Sequence, residues 1–473
     1  MKRMPIGRLR KLRAGAALAA LVIGCAMAAP ALADTLEAAL IRAYQNNPQL
    51  NAQRASVRAT DENVPQALSG YRPRVAVTAS AGTQFTDVQT KTVSGGRLVE
   101  TGIYGMNSPR SVGATVSQTL FNGGQTANRT RAAESQVSAA REGLRVLEQT
   151  VLLAAATIYM DYLRDSAIVE VQRSNTRVLE QTLKQTRDRF NVGEVTRTDV
   201  AQSEAQLAAG RTQLLTAESN LTTTRANFRR IIGNDPVALA AGSPVDRFLP
   251  PTLNGAIDLG LIENPNVTAA MYGIDVSFLQ VKVNEGALFP TVTLQGSVQQ
   301  SYESTMTIFR SFGASAVAQV NVPIYQGGSE YALIRQSKET LAQQRLNLEQ
   351  VRDQTRATVA QAWGQLTAGK AQVSSAQSQV AASEIALNGV REEARVGQRT
   401  TLDVLNAQQA LVNARVALVT AQHDRVVASY AVLSAVGRLS PQTLNLATTV
   451  YDPSVHYHQV RDSWGGVRTP DGR

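Results

Sequence analysis

Asn191-Val192-Gly193-Glu194-Val195-Thr196-Arg197-Thr198-Asp199-Val200 has a counterpart in Arg395-Val396-Gly397-Gln398-Arg399-Thr400-Thr401-Leu402-Asp403-Val404-Leu405-Asn406. In both, glycine follows valine where a helix would stop, because glycine enters the left-handed region without a Cβ penalty. Three residues on, Thr196 and Thr400 are suited to cap a following helix, with Asp199 and Asp403 at the third helical position. Each stretch therefore reads as a helix, a tight turn and a second helix. On this reading alone the two aspartates are either simple helix caps or something more.

Outward from these turns the same order repeats. Phe121-Asn122-Gly123-Gly124 returns as Tyr325-Gln326-Gly327-Gly328, and Ile232-Gly233 as Val436-Gly437, in the register of 204 positions that relates Gly193 to Gly397. Further upstream, Asn47-Pro48 and Pro73 return as Asn264-Pro265 and Pro290, 217 positions on. The 13-residue difference falls between Pro73 and Gly123 and nowhere else. A single length change confined to one loop is the mark of a duplicated unit. Residues 34–240 and 241–446 are the expected copies. A tail, 447–473, carries Pro453, Gly465, Gly466 and Pro470 and is expected to be poorly ordered.

Each copy opens with an expected helix (36–68 and 256–288) that runs to a proline, which ends it. Alternating stretches follow. In 74–85, Val75, Val77, Ala79 and Phe85 share one side and Arg74, Thr78, Ser80 and Gln84 the other; 291–299 behaves alike, and 112–120 and 314–322 are the expected partners. Period-two alternation with small polar residues on one side fits transmembrane barrel strands, with outward loops expected at 87–109 and 303–309. Four strands per chain are too few to close a barrel, so closure would need several chains. After each Gly-Gly pair, seven-residue spacing begins: Val137, Leu144, Val151 and Ile158, then Leu207, Leu214, Leu221 and Phe228, echoed by Leu341, Leu348, Leu411 and Leu418. Such seams pack helices knobs-into-holes. The proline-free run 125–191 would span roughly 100 Å as one helix, a length that suits a tube rather than a compact domain.

Residues 1–33 have the order of a secretory leader. Lys2, Arg3, Arg8, Arg10, Lys11 and Arg13 precede an apolar stretch, and Ala31-Leu32-Ala33 forms a small-residue cleavage site. Val22-Ile23-Gly24-Cys25 also resembles a lipidation signal, the less favoured alternative. Cys25 is the only cysteine, which excludes a disulfide framework and thiolate zinc sites. Of 47 basic residues against 37 acidic ones, the leader holds six and none, so the remainder is nearly balanced and carries no nucleic-acid footprint. Neither a catalytic triad, a zinc-protease helix nor a phosphate loop is present. His423 is expected at a helix surface, and His456 and His458 in the tail, with no metal or cofactor role.

At these residues the chain resembles the TolC family, the outer-membrane factors of efflux pumps and type I secretion systems, over residues 36–446. The resemblance implies a mostly helical, tandem-duplicated protein with a membrane β-barrel. Three chains would form a 12-stranded barrel in the outer membrane, continued by a 12-helix α-barrel across the periplasm. It implies a passive export duct, opened at its periplasmic tip by an inner-membrane ABC or RND transporter and a periplasmic adaptor. Thr198 and Asp199 match a latch that Arg399 completes. Asp403 and Asn406 match a lumen-facing ring, and Val192, Gly193, Val396 and Gly397 match the adaptor-contact turns. The chain departs from the family pattern at Ala394, where a latch tyrosine is usual, and at Asn406, where a second ring aspartate is usual. The alternative reading is a structural periplasmic coiled coil without transport. It explains the heptads but leaves two alternating hairpins without a purpose.

Overall fold

The structure is a computed structural model that describes residues 34–470 and 472, so the expected leader and Cys25 lie outside the described residues. The element order is α1 (Leu36–Asn46), α2 (Pro48–Asp61), α3 (Asn63–Leu68), β1 (Arg74–Ala81), β2 (Gln84–Ser94), β3 (Arg97–Asn107), β4 (Arg110–Asn122), α4 (Gln125–Asn191) and α5 (Arg197–Ile232). Then come α6 (Leu253–Glu263), α7 (Pro265–Gly286), β5 (Thr291–Thr305), β6 (Ile308–Asn321), α8 (Ser329–Arg395), α9 (Thr401–Val436) and α10 (Ser454–Val460). The protein is mostly helical with a smaller sheet portion. The long helices α4 and α8 have 67 residues each, and α5 and α9 have 36 each. At 1.5 Å per residue the longer pair extends about 100 Å.

The opening helices, expected as single rods, are broken. Asn47 has extended backbone and its Oδ1 accepts from the amides of Gln49 and Leu50, so α2 starts afresh at Pro48. Asn264, also extended, accepts from the amide of Asn266 and starts α7 at Pro265. Proline lacks the amide that would continue the first helix, yet its fixed φ suits the first position of the next.

β1, β4, β5 and β6 form an antiparallel sheet in the order β1-β4-β5-β6. Its register sorts the side chains by face. Val75, Val116, Gly296 and Ala316 share one row, and Val77, Ala114, Val298 and Ala314 the next. Intervening rows point to the other face and carry Ala76, Thr115, Ser297 and Ser315, then Thr78, Gly113, Gln299 and Gly313. Hydroxyl contacts at 2.8 Å between Ser80 and Ser111 and between Ser297 and Ser315 lie on this polar face. One face is thus aliphatic and small, the other hydroxyl- and amide-lined, as expected for strands between lipid and water.

The expected outward loop 87–109 is instead a second hairpin. β2 pairs with β3 from Gln84↔Asn107 to Ser94↔Arg97, in the same register that pairs β1 with β4. The two ladders are therefore one ribbon, interrupted only at residues 82–83 and 108–109. Period-two alternation does resume beyond Phe85 (Val88, Thr90, Thr92 against Asp87, Gln89, Lys91), but polar residues occupy both faces, so no apolar stripe marks it as strand.

The main core lies where α1 and α2 pack on the middle of α4 and the end of α9. Leu40, Tyr44, Leu50, Leu152, Tyr159, Phe228 and Leu433 are fully buried there. Each contributes about 1.5–3 kcal/mol by leaving water. The Tyr159 hydroxyl sits 2.7 Å from the carbonyl of Asp34 and 2.6 Å from that of Ala240, tying the start of the described chain to the linker after α5. Where composition pointed to a loose tail, the chain from 447 packs back onto this region. The amide of Tyr451 donates to the Tyr44 hydroxyl, and α10 lays His456 against α2. His423, expected at the surface, is buried between Asp161 and Asp424. Among the described residues no helix is long and apolar enough to cross a membrane.

Candidate functional site

The two Val-Gly turns close the helix pairs α4–α5 and α8–α9 with the same local chemistry. Gly193 and Gly397 both have φ of +81°. Behind each, two amides fold back onto the ending helix: Gly193 and Glu194 donate to Phe190 and Arg189, and Gly397 and Gln398 donate to Ala394 and Glu393. These bonds satisfy the last carbonyls of the helix, as a left-handed cap does. Val192 and Val396 are left 72% and 71% exposed, so each turn presents one bare valine beside one glycine.

The following helices start with reciprocal capping boxes. Asp199 N donates to Thr196 Oγ1 at 3.3 Å, while Thr196 N and Oγ1 donate to Asp199 Oδ2 at 2.9 and 2.7 Å. In the second copy the same three bonds join Asp403 and Thr400 at 3.2, 2.9 and 2.8 Å. These donors hold both carboxyls below the ordinary aspartate range: Thr196 hydroxyl first for Asp199, Thr400 amide first for Asp403. Both groups are thus anionic at neutral pH, and the cap role raised by the sequence is present at both positions.

Within the chain, Arg399 does not reach Asp199. Its Nε donates to Glu393 Oε2 at 2.8 Å, and that contact raises the guanidinium further above its ordinary value. The first turn carries an equivalent tie with the charges exchanged, Arg189 Nε to Glu194 Oε2 at 2.9 Å. Both Thr196 bonds fall on Asp199 Oδ2, so Oδ1 can accept from a further donor. Thr198 is exposed on the first turn of α5, and Asn406 on the second turn of α9.

The structure also brings together residues that sequence reading did not link. Above the tips, Leu179, Leu183, Leu207 and Leu405 form a small apolar cluster in which α9 meets the α4–α5 pair. Gln206 Nε2 donates to Gln409 Oε1 at 3.1 Å, Arg391 Nη2 to Gln408 Oε1 at 3.0 Å, and Gln408 Nε2 to Asn175 Oδ1 at 3.4 Å. Arg391, Gln408 and Asn175 thus form one chain of bonds from α8 through α9 to α4. Glu393 and Glu194 were findable as opposite charges six and five positions from their arginines; the glutamines carry no pattern that singles them out.

A family description, Outer membrane efflux protein, matches residues 39–234 and 256–438. The outer membrane efflux protein BepC of Brucella suis is 41% identical over 447 residues, covering 94% of each chain. The outer membrane protein TolC of Escherichia coli is 25% identical, over 86% of this chain and 83% of its own. Among solved structures, the outer membrane protein VceC of Vibrio cholerae superposes with a TM-score of 0.72 at 20% identity, over 85% of this chain and 96% of that one.

Proposed function

This chain belongs to the outer membrane efflux protein family, and from that premise we propose that three copies form a passive export duct gated at its periplasmic tip. As a member of this family of TolC-like efflux and type I secretion proteins, it is an outer-membrane channel and not an enzyme. What goes further is the assembly. The observation that carries it is the open four-stranded sheet, apolar on one face and hydroxyl-lined on the other, whose outer strands β1 and β6 have no strand partner on their far sides among the described residues. Unpaired edges are not tolerated in lipid, so the sheet must close on further copies. Three copies give twelve strands, and their α4–α5 and α8–α9 pairs give twelve helices for the periplasmic wall.

In this assembly the tips form the entrance. Arg399 of one helix pair meets Thr198 and the free Oδ1 of Asp199 on a neighbouring pair, leaving or sharing Glu393. Asp403 and Asn406 line the constriction, and Val192, Gly193, Val396 and Gly397 receive a periplasmic adaptor that couples the duct to an inner-membrane ABC or RND transporter. Ala394 adds no further hydrogen bond to the latch, so the charge pair carries more of the closing bias. A coiled coil without transport would give a monodisperse species that forms no pores. The test is detergent-extracted protein: a trimer that inserts discrete conducting pores in planar bilayers supports the duct, and a monomer without conductance overturns it.

A further inference from the structure

Resting on the barrel reading above, we propose that the outward rim of the barrel carries a binding site for the phosphate groups of outer-leaflet glycolipids, built from Arg110, Tyr302 and Arg310. The register places these three side by side on neighbouring strands: Arg110 of β4 opposite Tyr302 of β5, and Tyr302 opposite Arg310 of β6. The rows beneath them on the same face contain Val112, Gln300 and Phe312, then Ala114, Val298 and Ala314. The row is therefore on the apolar face, and with Ala81 of β1 it is the last in which all four strands pair.

Its height fits a membrane boundary. From the row of Val292 and Val320 to that of Tyr302 and Arg310 is ten residues along β5, about 33 Å of strand. Tilted as barrel strands are, this covers roughly 25 Å, the height of an outer-membrane apolar band. Two arginines around a tyrosine at that level face lipid headgroups, where the accessible anions are phosphates.

The charges at the rim are unequally committed. Arg110 Nη2 lies 3.3 Å from Glu303 Oε1, so part of its charge is offset. Arg310 lies over the Tyr302 ring, 6.0 Å from its centre, and is within 3.0–3.2 Å of the Gln300 amide oxygen once that amide is turned. A neutral amide orients a guanidinium without cancelling its charge, so Arg310 keeps its full attraction for an anion. The next charged groups on that face, Asp87, Lys91 and Glu100, begin six residues beyond Ala81, about 20 Å further along the ribbon. Arginine rather than lysine suits the role, since its planar fork meets two phosphate oxygens at once.

The test is native mass spectrometry of the full trimer released from phosphatidylethanolamine nanodiscs doped with bis-phosphorylated lipid A. The wild type should retain this lipid, and the double variant Arg110→Ala, Arg310→Ala should retain about tenfold less. Arg310→Lys should fall between them. Lipid A without its phosphates should not be retained, and free pyrophosphate should not compete, since the acyl chains anchor the ligand beside the rim. Equal retention in the double variant, equal retention of the phosphate-free lipid, or displacement by pyrophosphate overturns the proposal. A fluorophore on Ala316→Cys, quenched by brominated lipid, reports the barrel separately in wild-type and double-variant backgrounds. Quenching in both, with lipid A retention unchanged, overturns the rim site alone; absence of quenching in the wild-type background overturns the barrel reading and the site with it.

Discussion

His456 Nδ1 lies 3.0 Å from Oδ2 of the fully buried Asp61, 395 positions earlier in the chain. Arg141 approaches the other carboxylate oxygen at 3.8 Å and stacks on the neighbouring Tyr457 ring, 5.1 Å from its centre. The C-terminal segment is thereby fastened to α2 and α4. His456→Ala should remove the nearest partner of a buried acid and cost about 1–3 kcal/mol. Limited proteolysis should then cut in the stretch from 447 to 464 well before the helices; a tail as resistant as that of the wild type would contradict the fastening.

His423 offers a pH test. Burial alone would lower its pKa, but hydrogen bonds to Asp161 and Asp424 outweigh that and raise it. A histidine raised in the native state stabilises fully below its ordinary pKa and loses that contribution as pH rises through the native value. The melting temperature of the wild type should therefore drop between about pH 6 and pH 8, and His423→Asn should flatten that part of the profile.

Gly193 and Gly123 share a positive φ but not their surroundings. A Cβ on Gly193 would meet nothing within 4 Å, whereas one on Gly123 would lie 2.3 Å from the Gly286 carbonyl oxygen. Gly193→Ala should cost only the backbone term, about 1–2 kcal/mol. Gly123→Ala adds a backbone clash at the junction of sheet and helix, and should lower the yield of heat-resistant oligomer far more. Equal losses would mean that the junction can move aside.

If the proposed latch closes the tip of a trimer, Arg399→Ser should raise single-channel conductance several-fold, because three symmetric contacts would then bias one opening equilibrium. It should also sensitise cells to large antibiotics. Asp403 needs a substitution that separates its helix cap from the ring role proposed for it. Asp403→Asn keeps an acceptor for the Thr400 cap while removing the charge, so it should weaken pore block by multivalent cations without loosening α9. Arg399→Ser pores that conduct like the wild type, in a normally assembled protein, would leave Asp199 as a helix cap alone.

The β2–β3 arm reaches well past the β5–β6 turn, so an epitope inserted at Ser94 should be detected on intact cells. One at Ser304, nearer the rim, should be detected more weakly. Surface detection of a tag at Gly193 would invert the orientation.

Much of this protein was legible one residue at a time. The Val-Gly turns and the threonine caps with Asp199 and Asp403 depend on neighbours within about four positions, where φ limits and capping bonds decide the outcome; the breaks at Asn47 and Asn264 are just as local, but only the structure showed them. The alternation that sorts Val75, Val77 and Ala79 from Thr78 and Ser80 is equally local, because a strand shows its two faces in its own order. What only tertiary structure decided is which distant groups meet. His456 reaches Asp61, His423 is enclosed by Asp161, Gln408 joins Asn175, and Arg399 turns to Glu393 within its own chain. These contacts bridge elements whose mutual placement follows from the packing of the whole molecule. A polar side chain's value depends on the partner that packing supplies, and no local pattern encodes that partner.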